Sequence, residues 1–239
     1  MMNIKIRFKG TYLGFAWAAI EPALTFILLY IVFTSIRSRT EENFAIYLLT
    51  GIMIYHIFSR GTLGGITSLT GNRGILQSVK INKEFFPVVS VAATCLLIFI
   101  EVGVFFGLMP FFNFIPNWTI VFLPLVLALL VILILGLSYI LSVLHVFVKD
   151  IQMLWGILIH ALFFITPIIW YVKDVSGILL AIHKINPVGH IVELAHKIVV
   201  FREVPVLSEW LYALAFSIGI FFVGFMIFIK FQERIVEEI

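Results

Sequence analysis

Residues 120–147 read IVFLPLVLALLVILILGLSYILSVLHVF, a run without a single Asp, Glu, Lys or Arg. A helix needs about 20 mostly apolar residues to cross the hydrocarbon of a bilayer. This run is longer than that, so as a helix it either tilts or extends beyond the membrane. Similar apolar runs flank it at 15–36, 46–66, 87–109, 151–171 and 210–230. The pattern predicts an all-α, polytopic membrane protein with six transmembrane helices, forming one unit over residues 1–239. Thr166-Pro167 falls inside the fifth run and predicts a kink, because proline removes a backbone donor and clashes one turn back.

Composition agrees with that reading. Of 239 residues, 62% are hydrophobic and 12% charged, against roughly 25% charged in soluble domains. A water-soluble fold of this size could not hide so much apolar surface. The net charge of +3 is small and scattered, which argues against nucleic acid as a partner. A single cysteine, Cys95, lies in an apolar run and has no partner for an intrachain disulfide. Lys5, Arg7 and Lys9 before the first run resemble a signal peptide. The run is too long for one, contains Glu21-Pro22 and lacks a small-x-small cleavage site, so it is expected to be a retained span.

The loops give orientation. With the N-terminus inside, Lys5, Arg7, Lys9, Arg73, Lys80, Lys83, Lys149, Lys230 and Arg234 fall on the cytoplasmic side. Arg37, Arg39, Lys173, Lys184, Lys197 and Arg202 fall opposite, four of them in the long 172–209 connection, where charge bias counts for less. Both termini are therefore expected in the cytoplasm. The polar, basic 67–86 connection has room for a short cytoplasmic helix. The 172–209 connection holds two semi-apolar pieces, Ile178–Ile182 and Val188–Val200, bounded by Pro187 and Pro205. Each is too short to span. Re-entrant helices are favoured over a hairpin lying on the surface, since backbone at membrane depth must satisfy its own hydrogen bonds. Residues 3–9 alternate apolar and basic and fit an arm held on anionic headgroups. No internal repeat or low-complexity tract occurs.

Several chemistries lack their motifs. There is no G-x-x-x-x-G-K-[ST] phosphate loop, no H-E-x-x-H pair and no G-x-S-x-G elbow. His190, Glu193 and His196 suggest a ligand cluster, but residues six apart on a helix lie about 240° apart. No metal site is expected from them, only interfacial polar contacts. Charges inside spans are more informative, because placing one at mid-bilayer costs about 2.5–3.5 kcal/mol. Arg60 follows His56 by one turn in the second span, and Glu101 lies in the third. The two spans run in opposite directions, which puts His56 and Glu101 within about 5 Å in depth. Glu101 is expected to pair with His56 and, less directly, with Arg60. Such a polar strip lines a translocation path or locks two spans together; the sequence leaves both open. Of the many aromatics, Trp17, Trp118, Trp170, Tyr171 and Trp210 lie near span ends, as interfacial anchors do.

Beyond this, a family resemblance takes over. Arg7-Phe8-Lys9-Gly10-Thr11-Tyr12-Leu13-Gly14-Phe15-Ala16-Trp17 resembles an R-Y-x-G-S-x-L-G-x-x-W opening, followed in place by Glu21-Pro22. Tyr47-Leu48-Leu49-Thr50-Gly51 resembles Y-L-x-x-G, and Asn72 with Lys83-Glu84-Phe85-Phe86-Pro87 resembles N…F-P-R-E-I-L-P. Val148-Lys149-Asp150-Ile151 is similar to F-R-D-I, Thr166-Pro167-Ile168-Ile169-Trp170 to S-P-V-I-Y, and Ile185-Asn186-Pro187 carries a late N-P. Together, in order, these resemble the membrane subunits of ABC-2 type exporters, in the branch for polysaccharide, lipid-linked O-antigen or teichoic acid. Asn82 stands where the first proline of F-P-R-E falls, and Lys149 where arginine falls. The basic arm before Arg7 is shorter than the family's amphipathic helix.

The resemblance implies a non-catalytic permease of the bacterial inner (plasma) membrane, present in two copies with two copies of a separate ATPase subunit. ATP and Mg would bind that partner, and this chain would bind no cofactor. Asn72, Lys80, Lys83, Glu84, Lys149 and Asp150 would couple to the ATPase, with 67–84 as the docking segment. Spans one and five would line the path for a lipid-linked glycan amid membrane lipids, making Trp17, Tyr30, Trp170 and Tyr171 candidates beside His56, Arg60 and Glu101. The 172–205 pieces would form the outer mouth. Other readings are an ABC-2 permease for drugs or other lipids, an ATP-independent channel or secondary transporter, and a membrane-embedded enzyme.

Overall fold

The computed structural model describes residues 16–36, 43–78 and 81–238. The basic arm at 3–9, the cations Arg37 and Arg39, and Lys80 lie outside them. Among the described residues the secondary structure is helical throughout. The helices are α1 (Trp17–Ile36), α2 (Phe44–Ile66), α3 (Arg73–Ser78), α4 (Phe85–Leu108), α5 (Leu123–Phe147), α6 (Ile151–Ile165), α7 (Ile178–Ile185), α8 (Pro187–Val199) and α9 (Leu207–Glu238). Four stretches are long and apolar enough to cross a membrane: Phe44–Ile66, Phe85–Phe112, Trp118–Phe147 and Leu207–Ile235. A fifth is reached if α7 and α8, which meet at 90°, count as one broken span. The apolar helices Ala19–Ser35 and Ile151–Ile165 are shorter.

α2 is the central element. Of its apolar window 89% is buried by the rest of the protein, against 22% for α9. Small residues explain how neighbours come so close. A Cβ on Gly65 would lie 2.1 Å from the Ser138 hydroxyl, so α5 presses directly on the α2 backbone. At the most extensive contact, between α5 and α9, a Cβ on Gly224 would lie 2.2 Å from the Gly136 carbonyl oxygen. Lipid gives no hydrophobic drive for helices to associate, so such backbone approach supplies the van der Waals contact instead.

Two proline sites decide the shape of the second half. The sequence predicts a kink in the fifth run at Thr166-Pro167; the helix instead ends at Ile165. Thr166 is extended (φ −80°, ψ 140°), because the ring of a following proline disfavours the helical region. The chain beyond it is tied to α2: the Tyr47 hydroxyl lies 2.7 Å from the Trp170 carbonyl and 3.0 Å from that of Pro167. The same restriction makes Asn186 extended before Pro187. There the Asn186 side chain accepts from Val188 N at 3.1 Å, and Pro187 opens α8 at a position where no backbone donor is needed. The two expected semi-apolar pieces are thus α7, which runs three residues further than the apolar pattern suggested, and α8, which is shifted by one residue.

The two ends of the bundle differ. Thr70 Oγ1 lies 3.3 Å from His145 Nδ1, and the Lys83 ammonium donates to the Gln232 carbonyl at 2.6 Å. The 67–84 connection, the 148–150 turn and the C-terminal part of α9 therefore share one end. At the other, Thr119 Oγ1 donates to the Ile198 carbonyl at 2.7 Å and Arg202 to that of Ile115 at 3.2 Å.

Candidate functional site

Side chains on a helix tilt toward its N-terminus. Arg60, near the end of α2, is therefore expected to lean toward the turn that holds His56, and its length lets the guanidinium reach α1 and α4. Arg60 Nη1 donates to Glu101 Oε1 of α4 at 2.6 Å, and Nη2 donates to Glu21 Oε2 of α1 at 2.7 Å. The expected His56–Glu101 pair does not form: Glu101 bonds Arg60, and His56 Nδ1 is buried with no hydrogen-bond partner among the described residues. Glu101 does meet α2, but the reach of arginine decides the partner.

The two carboxylates are unlike. The side chain of Glu101 is 1% exposed and that of Glu21 62% exposed. Glu101 is the fixed counter-ion that makes a buried arginine tolerable. Glu21 faces a cavity of about 440 Å³ between α1, α2 and α6, together with Tyr55, His56, Ser59, Arg60 and His160. The rest of the lining is largely apolar. Tyr55 donates its hydroxyl to the Ile159 carbonyl, and Trp155 Nε1 donates to Thr62 Oγ1 at 3.1 Å, so α6 is fastened to α2 on this side. A cavity of this kind offers a polar solute several hydrogen-bond donors and acceptors and one displaceable ionic contact, at the depth of membrane helices.

Of the candidates read from sequence, the cavity gathers His56 and Arg60, with Glu101 behind the arginine. It does not gather the four aromatics. Tyr30 stacks on Phe26 (5.7 Å between centroids) and packs edge-on to Phe112 (5.3 Å). Tyr171 lies 4.2 Å from the Tyr47 ring. Trp170 donates to the Phe164 carbonyl at 2.9 Å and stands edge-on to His183. Trp17 is exposed at the start of α1. Sequence reading missed Glu21 and His160 as lining groups. Glu21 does carry a signal in the sequence, a carboxylate inside an apolar run.

Of the residues expected to couple to a partner, Lys80 lies outside the described residues, and Asn72, Lys83, Glu84, Lys149 and Asp150 lie at the end that carries the basic connection. Lys149 and Asp150 are exposed in the turn between α5 and α6. Asn72 donates to the Ser68 carbonyl at 2.7 Å, closing the turn that leads into α3. Lys83 is spent on Gln232, which gives it a bracing role between the connection and α9. Glu84 precedes α4 and is half-buried.

Four helices of membrane length, a fifth span if α7 and α8 count together, and a charged cavity between α1, α2 and α6 describe a polytopic membrane protein. The family model for ABC-2 type transporters matches residues 1–200. The chain is a member of the ABC-2 type transporter family. Among its ABC-2 relatives, the O-antigen export system permease protein RfbA of Myxococcus xanthus is 25% identical over 247 residues, covering 99% of this chain and 92% of that protein. The polysialic acid transport protein KpsM of Escherichia coli is 26% identical over 250 residues, covering 100% of this chain and 93% of its own. An RfbA from Klebsiella pneumoniae is 25% identical over 174 residues, 70% of this chain and 65% of that protein.

Proposed function

We propose that this chain is the transmembrane subunit of an ATP-driven exporter that carries a lipid-linked polysaccharide, of O-antigen, capsule or teichoic-acid type, out across the bacterial plasma membrane. The observation that carries this reading is the near-complete alignment with one protein named as an O-antigen export permease and another named for polysialic acid transport. Six helices would cross the bilayer, with α1 and α6 as the short ones and both termini in the cytoplasm. The grouping of the basic 67–84 connection with the 148–150 turn and the end of α9 supports that orientation. Two copies of this chain would pair with two copies of an ATPase subunit that binds ATP and Mg; no bond chemistry is assigned to this chain.

In that scheme the ATPase docks on 67–84 and on Lys149-Asp150, and closure of its dimer rocks the helices that these segments terminate. The cavity between α1, α2 and α6 is the cargo path, with Arg60 and Glu21 as its ionic contact. The shift between closed and open states is a shift of populations biased by nucleotide on the partner. Co-expression with an ABC ATPase subunit from the same organism is the test. A stable complex is expected, with ATP turnover that falls when Lys80 or Lys149 is replaced by Glu, together with loss of surface glycan in cells lacking this chain. A chain that purifies without any nucleotide-hydrolysing companion, and whose deletion leaves surface glycan intact, would overturn the reading.

A further inference from the structure

The 90° bend between α7 and α8 brings together residues that no helical spacing aligns. His183 ends α7, while His190 and Glu193 sit on the first turns of α8. One nitrogen of each histidine and one oxygen of Glu193 lie within 4.8 Å of one another. His183 Nε2 is 3.0 Å from Glu193 Oε2, and the two imidazole centroids are 5.0 Å apart. His183 is buried; the other two are half-buried, so the cluster opens on one side.

The orientation of His190 is set by its surroundings. Its Nε2 lies 3.1 Å from the Lys184 carbonyl. A neutral imidazole donates there and keeps its lone pair on Nδ1. Metal-binding histidines are held in the same manner, by a backbone carbonyl or carboxylate that takes the other N–H. That carbonyl also accepts the Tyr212 hydroxyl from α9, and the Tyr212 ring lies 4.4 Å from that of His190. Gly189 leaves room for the buried histidine: a Cβ there would come within 2.9 Å of His183 Nδ1.

We infer that His183, His190 and Glu193 form a binding site for a divalent transition-metal ion, zinc above all, at the bend of the hairpin. Two imidazoles and one carboxylate suit zinc, whereas magnesium and calcium demand oxygen ligands. Zinc bonds of about 2.0–2.2 Å place tetrahedral ligand atoms about 3.3–3.6 Å apart. Closing from 4.8 Å is a movement of about an ångström, within reach of the half-exposed His190 and Glu193. Three protein ligands leave the fourth position to water or to an oxygen of a passing molecule. A bound ion would fix the angle between α7 and α8 and tie both, through Lys184 and Tyr212, to α9. His196, the residue the sequence grouped with His190, takes no part: its Nε2 donates to the Tyr47 carbonyl at 2.9 Å on the far face of α8.

The test uses the full chain in detergent, stripped with chelator and titrated with zinc chloride alone, with bound metal counted after dialysis. One zinc per chain is expected. His190→Ala and Glu193→Gln should each weaken it at least tenfold, Tyr212→Phe about tenfold as a residue that orients a ligand, and His160→Ala not at all. Cobalt in place of zinc should give the intense visible absorption of a four-coordinate site, lost in His190→Ala. Because His183 is buried and its replacement risks the fold, the half-buried His190 and Glu193 carry the decision. Zinc retained by both of those variants, or absent from the wild-type chain, would overturn the assignment. Neither outcome touches the proposed export function, which does not depend on this ion.

Discussion

Two ionic clusters lie at different places in the bundle, and they are built in opposite ways. The Arg60 cluster joins three helices far apart in sequence, α1, α2 and α4, through one long side chain that reaches two carboxylates. The His183 cluster joins two consecutive helices through short side chains that a backbone bend brings face to face. In the first, the side chain bridges and the backbone stays regular. In the second, the backbone turns and the side chains need only point inward. A cluster of the first kind holds a bundle together and shares one face with a cavity, so its exposed member is the part available for function. A cluster of the second kind sets a local angle and depends little on the rest of the fold.

The largest expected effect of breaking this contrast comes from Arg60. Arg60→Ala strands Glu101, whose side chain is 1% exposed, and loss of one partner of a buried pair costs about 3–5 kcal/mol. The variant should fail to accumulate as a monodisperse protein in size-exclusion chromatography. Arg60→Met combined with Glu101→Leu should recover most of the folded material, since removing both charges removes the stranded one. Recovery of folding without recovery of export would assign the cluster to transport as well as to assembly.

Next in size is the glycine contact between α5 and α9. Gly224→Leu drives side-chain atoms into the Gly136 carbonyl and should cost about 1–3 kcal/mol by overpacking, read as a lower unfolding temperature in detergent. Glu21→Gln comes third. The side chain is mostly exposed to the cavity, so the chain should assemble as the wild type does, while export of glycan falls. Unfolding temperature and export rate measured on the same preparations separate the two. The smallest effect is at the hairpin: His190→Ala should leave the unfolding temperature unchanged without metal. Zinc at a hundredfold excess over its dissociation constant should stabilise only the wild-type chain, by about 2.7 kcal/mol.

How much of this was legible in advance depends on distance along the chain. The apolar runs 46–66, 87–109 and 120–147 became α2, α4 and α5 with shifts of a few residues at their ends, because the cost of exposing backbone to lipid leaves helix as the only outcome. The break at Asn186-Pro187 was legible too, as proline constrains its predecessor wherever it stands. The end of α6 was half-legible: Pro167 marked the place, but whether the helix kinks or stops was decided by the Tyr47 hydroxyl on the carbonyls beyond it. The arginine cluster was legible as a pairing of α2 with α4 but with His56 ahead of Arg60 as partner, since helical rise fixes Cα levels and says nothing of where a long side chain goes.

By itself, then, the sequence determined that the chain is a bundle of membrane helices, where several of them break, and that charges lie within the bilayer, because composition, proline and helical rise act locally. Only the tertiary structure decided that Arg60 rather than His56 holds Glu101, that Glu21 rather than the aromatics faces the cavity, and that His183 rather than His196 meets His190. Each of those turns on which faces of separate helices meet. For α5 against α2 and α9 that choice comes with close backbone contact at Gly65, Gly136 and Gly224, and for α7 against α8 with the bend at Asn186-Pro187, neither of which spacing along one helix contains.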